Sequence, residues 1–449
     1  MDELRGRFRG RVIGPQDPDY DAARTVTAGH IDRRPAAIVR VADAQDVARA
    51  IATARELGLE LAVRSGGHSG AGHGVTEGGL VIDLRELRAL DIDVEARTAW
   101  AGAGLTAGEY GAAAAEHGLA TGFGDTGSVG LGGITLGGGI GYLSRKHGMT
   151  IDNLLAAELV TADGRVLEVD ADNHPDLFWA IRGGGGNFGV ATRFKYRLHP
   201  MDRFIGGMLV LRATPEVVAG FVAAAEAAPD ELSTIANVMP APPMPFLAEE
   251  LHGRLVVLGM LAYAGEVEEG ERAVAPFRAL AEPLADMVRP IRYPEMFPPE
   301  DESYRPLAAA LTMFVNRIGH DEARTIVERL EASNAPMRAV QLRVLGGAIS
   351  RVPADATAYA HRSSPIMVNV AAFYEGDNDR AEKQAWVDDV VARLDQGDRG
   401  AYVNFIGDEG PERVHAAYPP ATWSRLVEIK RRYDPDNVFR LNQNIPPAP

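Results

Sequence analysis

Cysteine is missing altogether from the 449 residues, which excludes disulfides, thiolate metal sites, a cysteine nucleophile and any cysteine-linked cofactor. Basic residues are also short: 46 Lys and Arg face 62 Asp and Glu, a formal charge of −16. That field repels phosphate backbones and no Lys/Arg-rich stripe offsets it, so no nucleic-acid partner is expected. Long apolar runs are absent too. No stretch reaches the ~18 residues of a membrane span, and the opening MDELRGRFRGRVIGPQ has no apolar signal core. The expectation is a cytoplasmic protein with no membrane partner and no metal. No fixed repeat is visible, which sets aside collagen and solenoids.

What the chain has in abundance is glycine, 49 residues gathered in clusters. Its length exceeds one ordinary core, so two domains, or one domain with a large insertion, are expected. The N-terminal part alternates strands and helices: PAAIVRV reads as a strand, and Asp43 caps a helix through AQDVARAIATAREL that Gly58 ends. Thr106 and Glu109 make a capping-box pattern, and LLAAELVTADGRVLEVD reads as a hairpin with Asp163–Gly164 at its tip. From about residue 204 longer strands appear, such as IGGMLVLRA, GRLVVLGMLAYAG, AVQLRVLGGAIS and PIMVNVAAFYEG, with helices such as DEARTIVERLEAS. This predicts an α+β fold containing an antiparallel sheet backed by helices. The expected units are 1–203, 204–397 and a segment 398–449 that returns to the first.

Three glycine clusters stand out: VRSGGHSGAGHG at 63–74, GFGDTGSVGLGGITLGGGIG at 122–141, and RGGGGNFG at 182–189. Neither of the first two is read as a Rossmann fingerprint, because the first joins strand to strand and Gly132, Gly133, Gly137, Gly138, Gly139 and Gly141 of the second do not fit that spacing after a strand; no Gly-Lys-Ser/Thr marks a P-loop. Free backbone N–H groups in glycine turns still make concave nests for phosphate, which an acidic protein needs if it holds a dinucleotide. Two such loops suit a pyrophosphate and a flat ring system.

The string VRSGGHS resembles the flavin-attachment loop of the berberine-bridge-enzyme-like FAD-linked oxidases, in the superfamily of vanillyl-alcohol oxidase and p-cresol methylhydroxylase. The likeness continues through GSVGLGGITLGGGIGYLSRKHGMTIDNLLAAELVTADGRV, DLFWAIRGGGGNFGVATRF, GGAISRVPADATAYAHR, AYVNF and YDPDNVFRLNQNIPP, in family order over nearly the whole chain. It implies a two-part FAD-binding domain of the vanillyl-alcohol oxidase type with an inserted substrate domain.

The resemblance implies that His68 bonds the flavin methyl, while Arg64, Ser65, Gly66, Gly67 and Ser69 contact the pyrophosphate. His73 has no motif match and reads as a loop histidine. Gly127, Ser128, Gly132, Gly133, Leu136, Gly137, Gly138, Gly139 and Gly141 are implied to line the cofactor, with Tyr142 beside the ring. Gly189 and Val190 match positions at the adenine end; Tyr402, Asn442 and Asn444 match residues near the flavin. Two departures matter. Thr126 stands where many relatives carry a second, cysteine link, so FAD is expected to be tied only through His68. Phe405 closes YVNF where the alcohol- and phenol-oxidising members place a tyrosine base, and a benzene ring takes no proton.

Another group must supply that base, or the substrate needs none. Tyr142, Tyr374 and Tyr402 are the catalytic candidates; Glu375, His361 and Gln341 are further ones, with Arg343 and Arg362 as anchors for an acidic or quinone-like substrate. The expected activity is oxidation of a small molecule, an amine, a hydroquinone or phenol, or a secondary-metabolite intermediate, by hydride transfer to flavin N5. O2 is the expected acceptor, and the protein a monomer or homodimer. An oxygen-excluding dehydrogenase, and a flavoprotein that sequesters a drug-like metabolite, remain the alternatives.

Overall fold

The computed structural model describes residues 1–297, 300–301 and 304–448. Its first sheet orders the strands Arg11–Ile13, Ala37–Arg40, Leu80–Asp83 and Leu61–Arg64. The last three are parallel because the helix Ala44–Leu57 carries the chain over between Ala37–Arg40 and Leu61–Arg64. That helix is delimited locally: the Asp43 carboxylate accepts from the Asp46 N–H, and Gly58 closes it at φ 63°. Leu80–Asp83 is buried along its whole length, as a central parallel strand must be. Its register sets Asp83 beside Arg64.

The second sheet is antiparallel, in the order Leu90–Asp93, Thr98–Gly102, Val190–Arg197, Leu154–Val160, Val166–Asp170. The expected hairpin is present, with Gly164 at φ 81° in its turn. The second glycine cluster is not all loop: Leu131–Gly137 is helical, held by the buried Leu131, Thr135 and Leu136. The C-terminal helix Pro420–Tyr433 places Leu426, Ile429 and Tyr433 in the same hydrophobic core as Val39, Ile82, Phe194 and Tyr196.

The third sheet runs Ala285–Asp286, Phe204–Arg212, Leu255–Tyr263, Leu232–Pro240, Arg338–Val344, Ile366–Phe373, Ala308–Val315, with Arg289–Ile291 also beside Phe204–Arg212. The helices Pro215–Ala227, Val267–Arg278, His320–Ala332 and Arg380–Leu394 contribute Phe221, Phe277, Ile326 and Val390 to a core built on Ala236, Leu342 and Val368 of the sheet. Side chains alternate across a sheet, so the next residue along each strand points the other way. There Asn237, Gln341, Asn369 and Thr312 form one row across four strands. Two strands of this sheet escape sequence reading. Leu232–Pro240 is buried on both faces over most of its length and runs into a proline-rich connection, and Ala308–Val315 opens on three alanines, weak strand formers. The architecture is α+β, and among the described residues no helix is long and apolar enough to cross a membrane.

Candidate active site

A cavity of about 480 Å³ lies where these layers meet. Its walls are the 61–74 loop, the 124–140 stretch, 185–191, 402–406, 439–443 and the sheet face at Gln341, Arg343 and Asn369. The 61–74, 124–140 and 185–191 walls are rich in glycine, whereas 402–406 is a short helical turn of mostly apolar residues.

The glycines explain how the walls come together. A Cβ on Gly66 would lie 2.4 Å from the Gly130 nitrogen, and one on Gly130 would lie 2.2 Å from the Gly66 nitrogen, so the two loops touch backbone to backbone. Ser65 bridges them, donating to the Ala103 carbonyl at 2.6 Å and accepting from the Gly132 N–H at 3.2 Å. Gly133 and Gly186 behave differently. Both line the cavity, and a Cβ on either would meet no atom within 4 Å. These two leave backbone open to a ligand.

At the base of the first loop Arg64 pairs with the buried Asp83 at 2.8 Å, with Arg85 at 2.9 Å and Arg40 at 3.5 Å from the same carboxylate. Three guanidiniums on one carboxylate leave positive charge beneath a glycine loop in an otherwise acidic protein. Burial lowers the Arg64 pKa, and its Nε and Nη1 lie buried without hydrogen-bond partners. At the C-terminal wall the Asn442 side-chain oxygen is likewise buried and unsatisfied, as is that of Asn444, which lies outside the lining. Orphaned polar atoms around a cavity call for a polar ligand.

His68 lies in the cavity wall with Nε2 3.1 Å from Ser128 Oγ. Glu300 accepts from both the Ser128 hydroxyl and, at 3.1 Å, the Ser128 N–H. Burial lowers the His68 pKa, outweighing the attraction of Glu300, so the imidazole is neutral near pH 7. His73, read from sequence as a loop histidine, also lines the cavity; burial and then Arg33 bring it to about 4. No motif marked it, since only the fold of the loop turns it inward.

At the opposite wall the Tyr402 hydroxyl accepts from the Gly139 N–H at 2.8 Å and from Asn404 Nδ2 at 3.0 Å. Phe405 lies beneath the Arg343 guanidinium, 5.2 Å from ring centre to guanidinium carbon. Each Arg343 nitrogen bonds protein: Nη2 to Asp125 at 2.6 Å, Nε to Gln341 Oε1 at 2.8 Å, Nη1 to the Ile140 carbonyl at 3.3 Å. Asp125 lies in the cavity wall and was not singled out from sequence, because nothing in GFGDTG reveals that Arg343 will meet it.

Of the residues selected from sequence, Arg64, Ser65, Gly66, Gly67, His68, Ser69, Gly132, Gly133, Leu136, Gly189, Val190, Tyr402 and Asn442 line the cavity. Gly127, Ser128, Gly137, Gly138, Gly139, Gly141 and Asn444 are not among its lining residues. Four of these glycines serve close packing instead: a Cβ would fall 1.9 Å from Asn404 Oδ1 at Gly137, 2.6 Å from Met149 at Gly138, 2.0 Å from Thr150 Oγ1 at Gly139 and 2.2 Å from the Phe123 carbonyl at Gly141. Tyr142 is buried behind the wall with Tyr293 and Phe297, and burial raises its pKa. Tyr374 is buried at the end of the Ile366–Phe373 strand and does not reach the cavity. Glu375 is exposed, and His361 bonds the Ala416 and Ala417 carbonyls. Arg362 is held in two 2.8 Å bonds to Asp152 and is not among the cavity's lining residues.

Residues 35–170 match the family described as FAD binding domain, and residues 401–446 match berberine and berberine like. The (R)-6-hydroxynicotine oxidase of Paenarthrobacter nicotinovorans is 30% identical over 98% of this chain and 97% of its own length. The FAD-linked oxidoreductase YvdP of Bacillus subtilis strain 168 is 32% identical over 98% of this chain and 99% of its own. The crystal structure of 6-hydroxy-D-nicotine oxidase from Arthrobacter nicotinovorans superposes with a TM-score of 0.86 at 29% identity, covering 98% of each chain. With the fold, the glycine-built cavity and full-length relatives in agreement, the chain belongs to the berberine-bridge-enzyme-like FAD-linked oxidoreductases and is an FAD-dependent enzyme.

Proposed function

We propose that this enzyme is an oxidase that carries FAD on His68 and oxidises a small amine, hydroquinone or phenol. The observation that carries the reading is the continuity of one cavity from His68 and the glycine loops to the polar face of the third sheet. When bound, FAD supplies the redox chemistry, taking hydride at flavin N5 and passing the electrons to O2.

The residues present fit that cofactor. Gly66, Gly67 and Ser69 offer backbone N–H groups above the Arg64, Arg40 and Arg85 cluster, which suits a pyrophosphate. Open space at Gly133 and Gly186 admits a ligand against the main chain. Gly189 and Val190 would face the adenine end, and the unsatisfied Asn442 oxygen would take a donor from the cofactor. Neutral His68 has an unprotonated nitrogen for a covalent bond, and its Nε2 contact with Ser128 holds the ring in place. In this reading residues 1–203 and 398–449 hold the cofactor and 204–397 the substrate.

Tyr402 is poorly suited to act as the base: burial raises its pKa by more than the Asn404 and Gly139 N–H donors lower it, so the phenol keeps its proton. Phe405 takes no proton and instead excludes water. The test is to denature purified yellow protein in acid and weigh the intact chain. Retention of the mass of one FAD, abolished by His68→Ala, is the expected result. Release of all flavin from the wild type would remove the tether and leave the FAD enzyme.

A further inference from the structure

We infer that Asp125 is the carboxylate that receives the substrate, and that the substrate class it receives is a basic amine bound as its ammonium ion. The inference rests on the oxidase reading above and names the substrate of that same cavity.

Asp125 lies in the cavity wall, and only one of its oxygens is used: Oδ2 meets Arg343, while Oδ1 has no partner among the described residues. Arg343 already spends three of its five N–H groups on protein acceptors and its charge on Asp125, so it is less ready for an anionic substrate than Asp125 Oδ1 is for a cation. Its planar fork aims the carboxylate and lies over Phe405, so Asp125 is one guanidinium away from the position where the phenolic base is missing. A free carboxylate oxygen at the cavity wall matches an ammonium ion. The −16 net charge of the chain draws cations and repels anions, which favours the same class.

The neighbouring sheet face supplies the rest of the recognition. Gln341 donates to Asn237 at 2.8 Å, and Thr312 donates to Asn369 at 3.2 Å, which leaves the Asn369 NH2 without a partner among the described residues and at the cavity wall. That donor fits a carbonyl or hydroxyl oxygen elsewhere on the same amine. The chemistry balances. The ammonium N–H proton passes to Asp125 Oδ1 and its electron pair returns to nitrogen. The neutral amine then expels hydride from its α-carbon to the flavin oxidant as the nitrogen lone pair forms the C=N bond, and an iminium ion leaves.

The experiment titrates the holoenzyme anaerobically with N-methylbenzylamine and with its neutral isostere, benzyl methyl ether, following the visible flavin spectrum. The amine should bind the wild type at least about tenfold more tightly than the ether. Asp125→Asn, which keeps the shape and removes the charge, should bring the two within about twofold. An amine that binds the wild type no better than the ether, or a preference that survives in Asp125→Asn, overturns the inference. The wild-type comparison decides the matter even where the variant folds poorly. A colourless wild type that takes up no FAD would instead fault the oxidase reading, so the two failures are distinct.

Discussion

At the scale of the residue, the glycines divide into those that admit a ligand and those that admit another part of the chain. Gly133 faces open cavity, so Gly133→Leu should fold normally yet lose FAD, seen as colourless protein with unchanged far-ultraviolet circular dichroism. Gly137 faces Asn404 Oδ1 at 1.9 Å from a would-be Cβ, so Gly137→Ala should cost about 1–3 kcal/mol of stability, read in a denaturant midpoint. In sequence both belong to one run, GLGGITLGGGIG, and nothing in that string separates them. His68 was legible because a motif surrounds it. His73 and Asp125 were not, since no motif marks either: the fold of its own loop turns His73 inward, and Asp125 gains its place by meeting Arg343.

At the scale of the element, two devices tie distant segments together. Lys430, fully buried on the Pro420–Tyr433 helix, donates to Asp434 at 2.6 Å and to the Asn187 and Phe439 carbonyls at 2.8 and 2.9 Å. It joins two walls of the cavity, since Asn187 and Phe439 both line it. Lys430→Met leaves Asp434 buried and uncompensated, and should cost about 3–5 kcal/mol together with weakened FAD retention. The second device is the stacked pair His147–His199, with ring centres 3.8 Å apart, joining the helix Ser144–His147 to the strand His199–Pro200. Burial first, then mutual repulsion and Lys146 for His147, and Arg197 and Lys146 for His199, depress them from 6.5 to about 3 and about 4. The unfolded chain therefore binds more protons below pH 6.5, and stability should fall as pH drops from there towards 4. His147→Phe keeps a ring in the stack and removes one titration, so the melting temperature of this variant should depend less on pH over that range.

At the scale of the whole molecule, FAD is expected to act as a structural keystone, because its cavity is walled by segments from 61 to 443 that otherwise meet across space. His68→Ala should allow the cofactor to be removed and added back. The apo protein should melt lower, and its melting temperature should climb with the logarithm of added FAD, by an amount equivalent to ~2.7 kcal/mol at a hundred times the dissociation constant. A melting temperature indifferent to FAD would show that the walls stand without it. The acidic charge also acts at this scale: oxidation of a cationic amine should slow as salt screens the attraction, measured as kcat/KM against ionic strength.

The sequence by itself determined what is written locally. Asp43 and Gly58 bound a helix because cap and left-handed turn are properties of a few neighbouring residues. The first glycine loop was legible as part of the site for a similar reason, its glycines and His68 lying within one short motif at the cavity wall. The order and register of the third sheet were decided only by tertiary structure, because Leu232–Pro240 and Ala308–Val315 carry no clear strand signal of their own and gain their place by pairing with neighbouring strands. That register aligns Asn237, Gln341, Asn369 and Thr312, which lie far apart along the chain. The pairing of Asp125 with Arg343 has the same origin. Residues 218 positions apart meet at 2.6 Å through the packing of separate layers, and no local pattern encodes that contact.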